Sequence, residues 1–276
     1  MAAVEKRIDL GPDDKEIERL TAQHKIMKSC YEKLILAPID LSKPGLRILD
    51  SGCADGLWLR EVQPLIASPH SLIGTDFNPN LFPSDPPGQI MHQAQDITKP
   101  WPADWANSFD FVHQRLVLGG CGPFGPEKAV KHMIELVKPG GWIQLDEMDL
   151  AGEQQLPGMG GELGRIIRAV FEASGGQWDF ATKMKQWMIE AGLENVEEKT
   201  IHVAFGKSNP DPEIAKLGIW SLTTSTKALC FAGKTEMGIK GFTEAELDSM
   251  GERCEKELIE TGVDSPMLSV WGRKPL

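Results

Sequence analysis

Arg47-Ile48-Leu49-Asp50-Ser51-Gly52-Cys53-Ala54-Asp55-Gly56-Leu57-Trp58 is the stretch that decides the fold. Ile48 and Leu49 read as the end of a buried strand, after which the chain turns through Gly52, Ala54 and Gly56 into a helical pattern over 57–67. A strand that ends in small residues and feeds a helix lets backbone approach a ligand closely. Asp76 follows Gly56 by twenty residues and closes a second apolar run, 71–76. An acid at the tip of the next parallel strand is placed to take a ribose diol. The pair predicts a nucleoside-bearing cofactor, the alternative being an ordinary strand-to-helix turn with a strand-end acid. A dinucleotide fingerprint is disfavoured, because its third glycine falls on Leu57.

Outward from this turn, the pattern alternates. Ile17, Leu20, His24, Met27, Tyr31 and Leu34 recur at helical steps and predict a helix over 13–36, behind a polar arm at 1–12. Further strands are expected at 89–94, 109–113 and 142–145, with a Pro-rich loop at 78–87, a helix at 127–136 and a Lys138-Pro139-Gly140-Gly141 turn. Asp50, Asp76, Asp96, His113 to Arg115, and Asp146-Glu147 each sit at the carboxyl end of one of these strands. Alternation with tight turns argues for a parallel α/β sheet, and such sheets bind ligands beyond those ends. Later come helices at 162–173, 179–191 (closed by Gly192), 213–231 and 243–260, where Thr243 and Glu246 form a capping box. Strands at 196–205 and 267–272 complete the chain and are expected to pair at the sheet edge.

The 276 residues carry a formal charge of −11 with no basic block of five, which argues against a nucleic-acid partner. A small, neutral or cationic substrate fits better. The five cysteines, at 30, 53, 121, 230 and 254, have no CxxC spacing and are expected as reduced thiols, with no metal site. Residues 1–14 lack an apolar signal core and no run approaches a membrane span. A cytoplasmic protein without membrane partners is expected.

The ordered motifs 49–56, Asp76, Gln95-Asp96-Ile97 and Lys138 to Trp142 resemble those of class I S-adenosylmethionine-dependent methyltransferases. Glu18-Arg19-Leu20 with Gln23-His24, Ala54 to Trp58, Phe109 to Arg115, and Trp271 to Pro275 narrow the likeness to fungal LaeA-like (UMTA-type) enzymes. The resemblance implies one domain over 1–276: a Rossmann-like α/β sheet of seven strands in the order 3-2-1-4-5-7-6, strand 7 antiparallel. It also implies a helical lid, built from the N-terminal helix and an insertion at 207–241 between the last two strands.

On this resemblance, Asp50, Gly52, Ala54 and Gly56 would meet the methionine end of S-adenosylmethionine. Many relatives have glycine where Ala54 stands. Asp76 would take the ribose, Phe77 would pack beside the adenine, and Asp96 with Ile97 would read it. Gln23 and His24 would touch the cofactor, and Tyr31 and Trp220 would line the substrate space, although core packing explains His24 and Tyr31 as well. His113 is the first candidate for a base as well as a cofactor contact, Glu147 the second; a hydrogen-bonded structural histidine is the alternative. Arg115 would serve an anionic substrate group or Glu147. The expected reaction is O- or N-methylation of a small molecule in fungal secondary metabolism. A cofactor-bound cyclase that transfers nothing and a LaeA-like regulatory protein are the rival readings.

Overall fold

A computed structural model describes residues 13–85 and 89–276. The arm at 1–12 and the middle of the Pro-rich loop at 86–88 lie outside them. The elements in order are α1 (Asp13–Cys30), β1 (Arg47–Ser51), α2 (Leu57–Val62), β2 (Ser71–Asp76), β3 (Ile90–Ala94), β4 (Phe109–Arg115), α3 (Pro126–Leu136) and β5 (Val137–Met148). Then follow α4 (Leu150–Glu153), α5 (Gly158–Ala173), α6 (Met184–Glu190), β6 (Glu194–Phe205), α7 (Pro212–Ala232), α8 (Glu244–Glu260) and β7 (Val263–Arg273). The strands form one mixed sheet in the order β3-β2-β1-β4-β5-β7-β6. The pairs β1/β2, β1/β4, β2/β3 and β4/β5 are parallel.

The chain divides into two compact units. The first comprises Lys33–Glu147, Thr182–Thr200 and Leu268–Leu276. Its strands are apolar at their centres because both faces are covered: Ile48, Leu49, Phe109, Phe111, Val112 and Ile143 are fully buried. Parallel register places Asp50 beside His113, and Ser51 beside both Thr75 and Gln114. Alternation then sorts the strand ends into two faces, with Asp50 and His113 on one, Ser51 and Gln114 on the other.

Three local predictions in this unit need correction. The 57–67 helix stops at Val62, because Pro64 has no N–H to continue the ladder, and 63–65 tighten into a 3-10 turn. The turn expected at 138–141 is instead part of a twelve-residue β5. The Gly140 N–H donates to Lys274 O (2.8 Å) and the Lys274 N–H to Gly141 O (2.9 Å), with Gly140 at φ +79°. That exchange is an antiparallel pairing with a glycine bulge, which keeps the strand going through what reads as a stop. The 179–191 helix is split, with a 3-10 turn at 181–183 ahead of α6, while Gly192 closes α6 at φ +82°. There Gly192 and Leu193 donate N–H groups to Ile189 O (2.9 Å) and Met188 O (3.0 Å).

Among the described residues the second unit comprises 13–32, Met148–Ala181 and Ile201–Met267. Here α1 ends at Cys30, not at residue 36, so Tyr31 lies just beyond the helix instead of on its stripe. The reason lies in the following residues, where Leu34, Ile35, Leu36 and Ala37 are buried consecutively. Four adjacent buried side chains suit extended chain, not one face of a helix. The helix expected at 162–173 begins earlier, at Gly158, so that Gly158, Gly160 and Gly161 lie inside α5; a Cβ on Gly161 would sit 2.2 Å from Leu156 O. Close backbone approach outweighs glycine's poor helix propensity. The capping box at Thr243 and Glu246 is present. Helix α7 packs on α1 and α8 through small residues, among them Gly218, Ser221, Thr226 and Cys230. Its large side chains point outward: Trp220 is 38% and Phe231 62% exposed. The buried face of this helix is therefore made by small side chains, which allow close helix approach.

Candidate active site

The turn after β1 is built on the end of β2. The Gly52 and Cys53 N–H groups donate to Thr75 O (2.7 and 2.8 Å), and the Ala54 N–H donates to Asp76 Oδ2 (3.0 Å). Gly52, Ala54 and Gly56 all take left-handed backbone, at φ +74°, +49° and +79°. A Cβ on Gly52 would lie 2.2 Å from Val117 Cγ2, and one on Gly56 2.6 Å from His92 Nε2. The need for glycine at these two positions is thus met first by protein packing, where the sequence suggested ligand approach. Ala54 holds its left-handed conformation at a cost of about 1–2 kcal/mol. Ala54→Gly is expected to raise unfolding free energy by roughly 0.5–1 kcal/mol in a denaturant titration, with the turn unchanged.

Asp76 is buried, and burial lifts its pKa above the usual carboxylate value against the pull of its backbone hydrogen bonds. Its Oδ1 accepts the Asn78 N–H at 3.0 Å, its Oδ2 that of Ala54. The Phe77 N–H donates to the same carboxylate, which with about four acceptor positions still has room for a hydroxyl. Beside it Phe77 is 57% exposed, an aromatic face open to a flat ring. Asp96 Oδ1 accepts from the Thr98 N–H and hydroxyl (2.9 and 2.8 Å), and Ile97 is buried. A left-handed turn, a buried carboxylate and an exposed aromatic ring thus stand together at the ends of β1 and β2, a set of groups whose chemistry suits a nucleoside ligand.

His113 is enclosed at 1% exposure. Its Nδ1 lies 2.7 Å from Asp50 Oδ1 and its Nε2 3.1 Å from Asp146 Oδ2, and its ring stacks on Trp58 at 3.9 Å. Burial works against the imidazolium, but the carboxylates of Asp50 and Asp146 outweigh it and raise the pKa. Both ring nitrogens are engaged by these two carboxylates. His113, expected as a base or as a hydrogen-bonded structural histidine, thus stands with each ring nitrogen against a carboxylate. Gln144 extends the clamp: its amide donates to Asp146 Oδ2 (3.0 Å) and accepts the Leu36 N–H (2.7 Å).

Glu147 lies on the opposite face from Asp146. It is 2% exposed, and its Oε1 accepts the N–H groups of Val117 and Leu118, both at 2.8 Å. Burial raises its pKa to about 7 against the lowering effect of those amides. Glu147, expected as the second candidate base, is thus an enclosed carboxylate with one oxygen held by backbone. Arg115 ends β4 and is half-buried.

Of the remaining predicted residues, Gln23, His24, Tyr31 and Trp220 belong to the second unit. His24 is buried, Gln23 and Tyr31 half-buried. Trp220 and Leu217 of α7 line an open groove with Glu18, Thr21, Ala22 and Lys25 of α1. The sequence reading missed the partners of His113, namely Trp58 and Asp146, and the role of Val117. The available signal was alternation: Gln144 and Asp146, two apart, share the face that the register gives to His113.

Sheet order and strand-end site together define a Rossmann-like nucleoside-cofactor protein. The methyltransferase domain family matches residues 22–198, and the chain belongs to it. It is an S-adenosylmethionine-dependent methyltransferase. It is 38% identical to N-methyltransferase sirN of Leptosphaeria maculans, over 96% of this chain and 94% of that protein. It is 33% identical to N-methyltransferase gliN of Aspergillus fumigatus, over 96% of each. Methyltransferase psoC of the same species is 36% identical over 94% of each. Among solved structures, the fold matches a Haemonchus contortus phosphoethanolamine N-methyltransferase 2 with bound S-adenosylhomocysteine, at TM-score 0.51 and 14% identity. That match covers 94% of this chain, which spans about half of the Haemonchus chain (52%). The [4+2]-cyclase SpnF matches at TM-score 0.51 and 13% identity over 96% of this chain and 95% of its own; both likenesses show fold alone. Among the described residues no helix is long and apolar enough to cross a membrane.

Proposed function

We propose that the protein methylates a nitrogen atom of a small molecule, within fungal secondary metabolism. The engagement of His113 by Asp50 and Asp146 is the observation that carries the choice of nitrogen. A hydroxyl acceptor needs a base to become a good nucleophile, whereas a neutral amine presents its lone pair unaided. The naming of sirN and gliN as N-methyltransferases supports the same choice. S-adenosylmethionine supplies an activated methyl on sulfur; the S–C bond breaks as the N–C bond forms, and the nitrogen's proton passes to solvent.

In this reading the protein binds, aligns and dries the reactants. Asp76 holds the ribose, Phe77 covers the adenine, Asp96 and Ile97 read its edge and face, and 50–56 follow the methionine arm. Gln23 and His24 as cofactor contacts, Tyr31, Arg115 and Trp220 as substrate contacts, and the segments 13–36 and 207–241 as a cover belong to the same proposal, as does the finer kinship to LaeA-like enzymes.

Incubation with trideuteromethyl-labelled cofactor and paired small acceptors, one amine and one hydroxyl isostere of each, tests it. The expected products carry the label on nitrogen. Label on oxygen alone would overturn the nitrogen assignment. Cofactor binding without S-adenosylhomocysteine formation in fungal extract would favour the cyclase or regulatory reading.

A further inference from the structure

The carboxylate of Glu147 does more than fill a buried site. The chain leaves β4 at Leu116 with φ +56°, a left-handed conformation that costs a branched residue about 1–2 kcal/mol. The Leu116 N–H is held by Asp146 O at 2.9 Å. The next two N–H groups, of Val117 and Leu118, converge on the single oxygen Glu147 Oε1 at 2.8 Å each. No side chain of its own caps the 3-10 helix that starts at Leu118, so Glu147 supplies that cap from β5. The strained turn puts Val117 Cγ2 in the space that a Cβ on Gly52 would need, 2.2 Å from it. Val117 therefore sits directly on the first glycine of the β1 turn.

We infer that Glu147 is a positioning residue, which clamps the 116–118 turn so that Val117 sets the shape of the cofactor turn at Gly52. The inference rests on the proposed placement of the methionine arm along that turn, and is independent of which acceptor is methylated. It separates Glu147 from a base by a simple chemical difference. A glutamine at 147 presents the same acceptor oxygen to the two amides but takes no proton. An alanine removes the acceptor of the part-buried Val117 N–H and the buried Leu118 N–H.

The test is calorimetric titration with S-adenosylmethionine and steady-state turnover for Glu147→Gln, Glu147→Ala and Val117→Ala. Glu147→Gln is expected to bind and turn over within about threefold of the parent, with an unchanged pH profile of kcat. Glu147→Ala is expected to weaken cofactor binding by about tenfold or more. Val117→Ala leaves every hydrogen bond in place, so it keeps the test open where Glu147→Ala fails to fold. It is expected to weaken cofactor binding severalfold, with less effect on kcat than on the cofactor KM. Loss of kcat by roughly a hundredfold in Glu147→Gln, with the acid limb of the profile removed, would make Glu147 a base and overturn the inference. Parent-like cofactor affinity in Val117→Ala would also overturn it. Binding of the cofactor by the parent, read in the same titration, shows separately whether the underlying placement stands.

Discussion

Replacing His113 with alanine is expected to destabilise the protein by about 3–5 kcal/mol near neutral pH. The substitution leaves the carboxylates of Asp50 and Asp146, 3% and 1% exposed, without the cation between them. It also strips Trp58 of its stacked partner. The pH dependence gives the cause. The folded-state pKa of His113 is raised, so between about 6.5 and that value the folded chain holds a proton that the unfolded chain has released. The contribution is fully present below about pH 6.5 and fades as pH rises through the folded value. The deficit should therefore be full at about pH 6.5 and below, and shrink as pH rises above the folded-state value of His113. Denaturant titrations of parent and variant across that range measure it, and a deficit below about 1 kcal/mol at neutral pH would contradict the clamp.

Asp76→Ala should lower affinity for S-adenosylmethionine by about a hundredfold. Hydrogen bonds to a charged acceptor contribute about 1.5–3 kcal/mol each, and 1.4 kcal/mol corresponds to tenfold in affinity. The variant loses the acceptor for both ribose hydroxyls, and frees the Ala54 and Asn78 N–H groups that shape the turn beside them. Asp76→Asn keeps one acceptor oxygen, and a loss nearer tenfold is expected. Calorimetry on folded variants checks both, with thermal unfolding as the control. Unchanged affinity in the folded alanine variant would remove Asp76 from the ribose site.

The sheet was legible because strands buried on both faces read as apolar runs, and because their polar ends stand out against them. Asp50, Asp76, Asp96, His113 and Glu147 were found this way, at strand or loop positions that the structure places close to expectation. What each acid touches was not legible. The clamp on His113 depends on cross-strand register, which a run of residues such as 109–115 does not contain. Helix ends were read too late where the stop signal is tertiary: α1 ends at Cys30 without a glycine or proline, because residues 34–37 are needed as extended, buried chain. The helix expected from 162 starts at Gly158 instead, and the close approach of Leu156 O to Gly161 that favours glycine there is not written in the local sequence. In α7 the helix was legible but its buried face was not, since the residues it buries are small ones.

A crystal structure of the protein with S-adenosylhomocysteine tests the account most directly. The ribose hydroxyls are expected within hydrogen-bonding distance of Asp76, the adenine against Phe77 with its edge toward Asp96, and the homocysteine arm along 50–56, with His113 still held between Asp50 and Asp146. A nucleoside bound away from Asp76, or a His113 released from its acids to face the homocysteine sulfur, would contradict it.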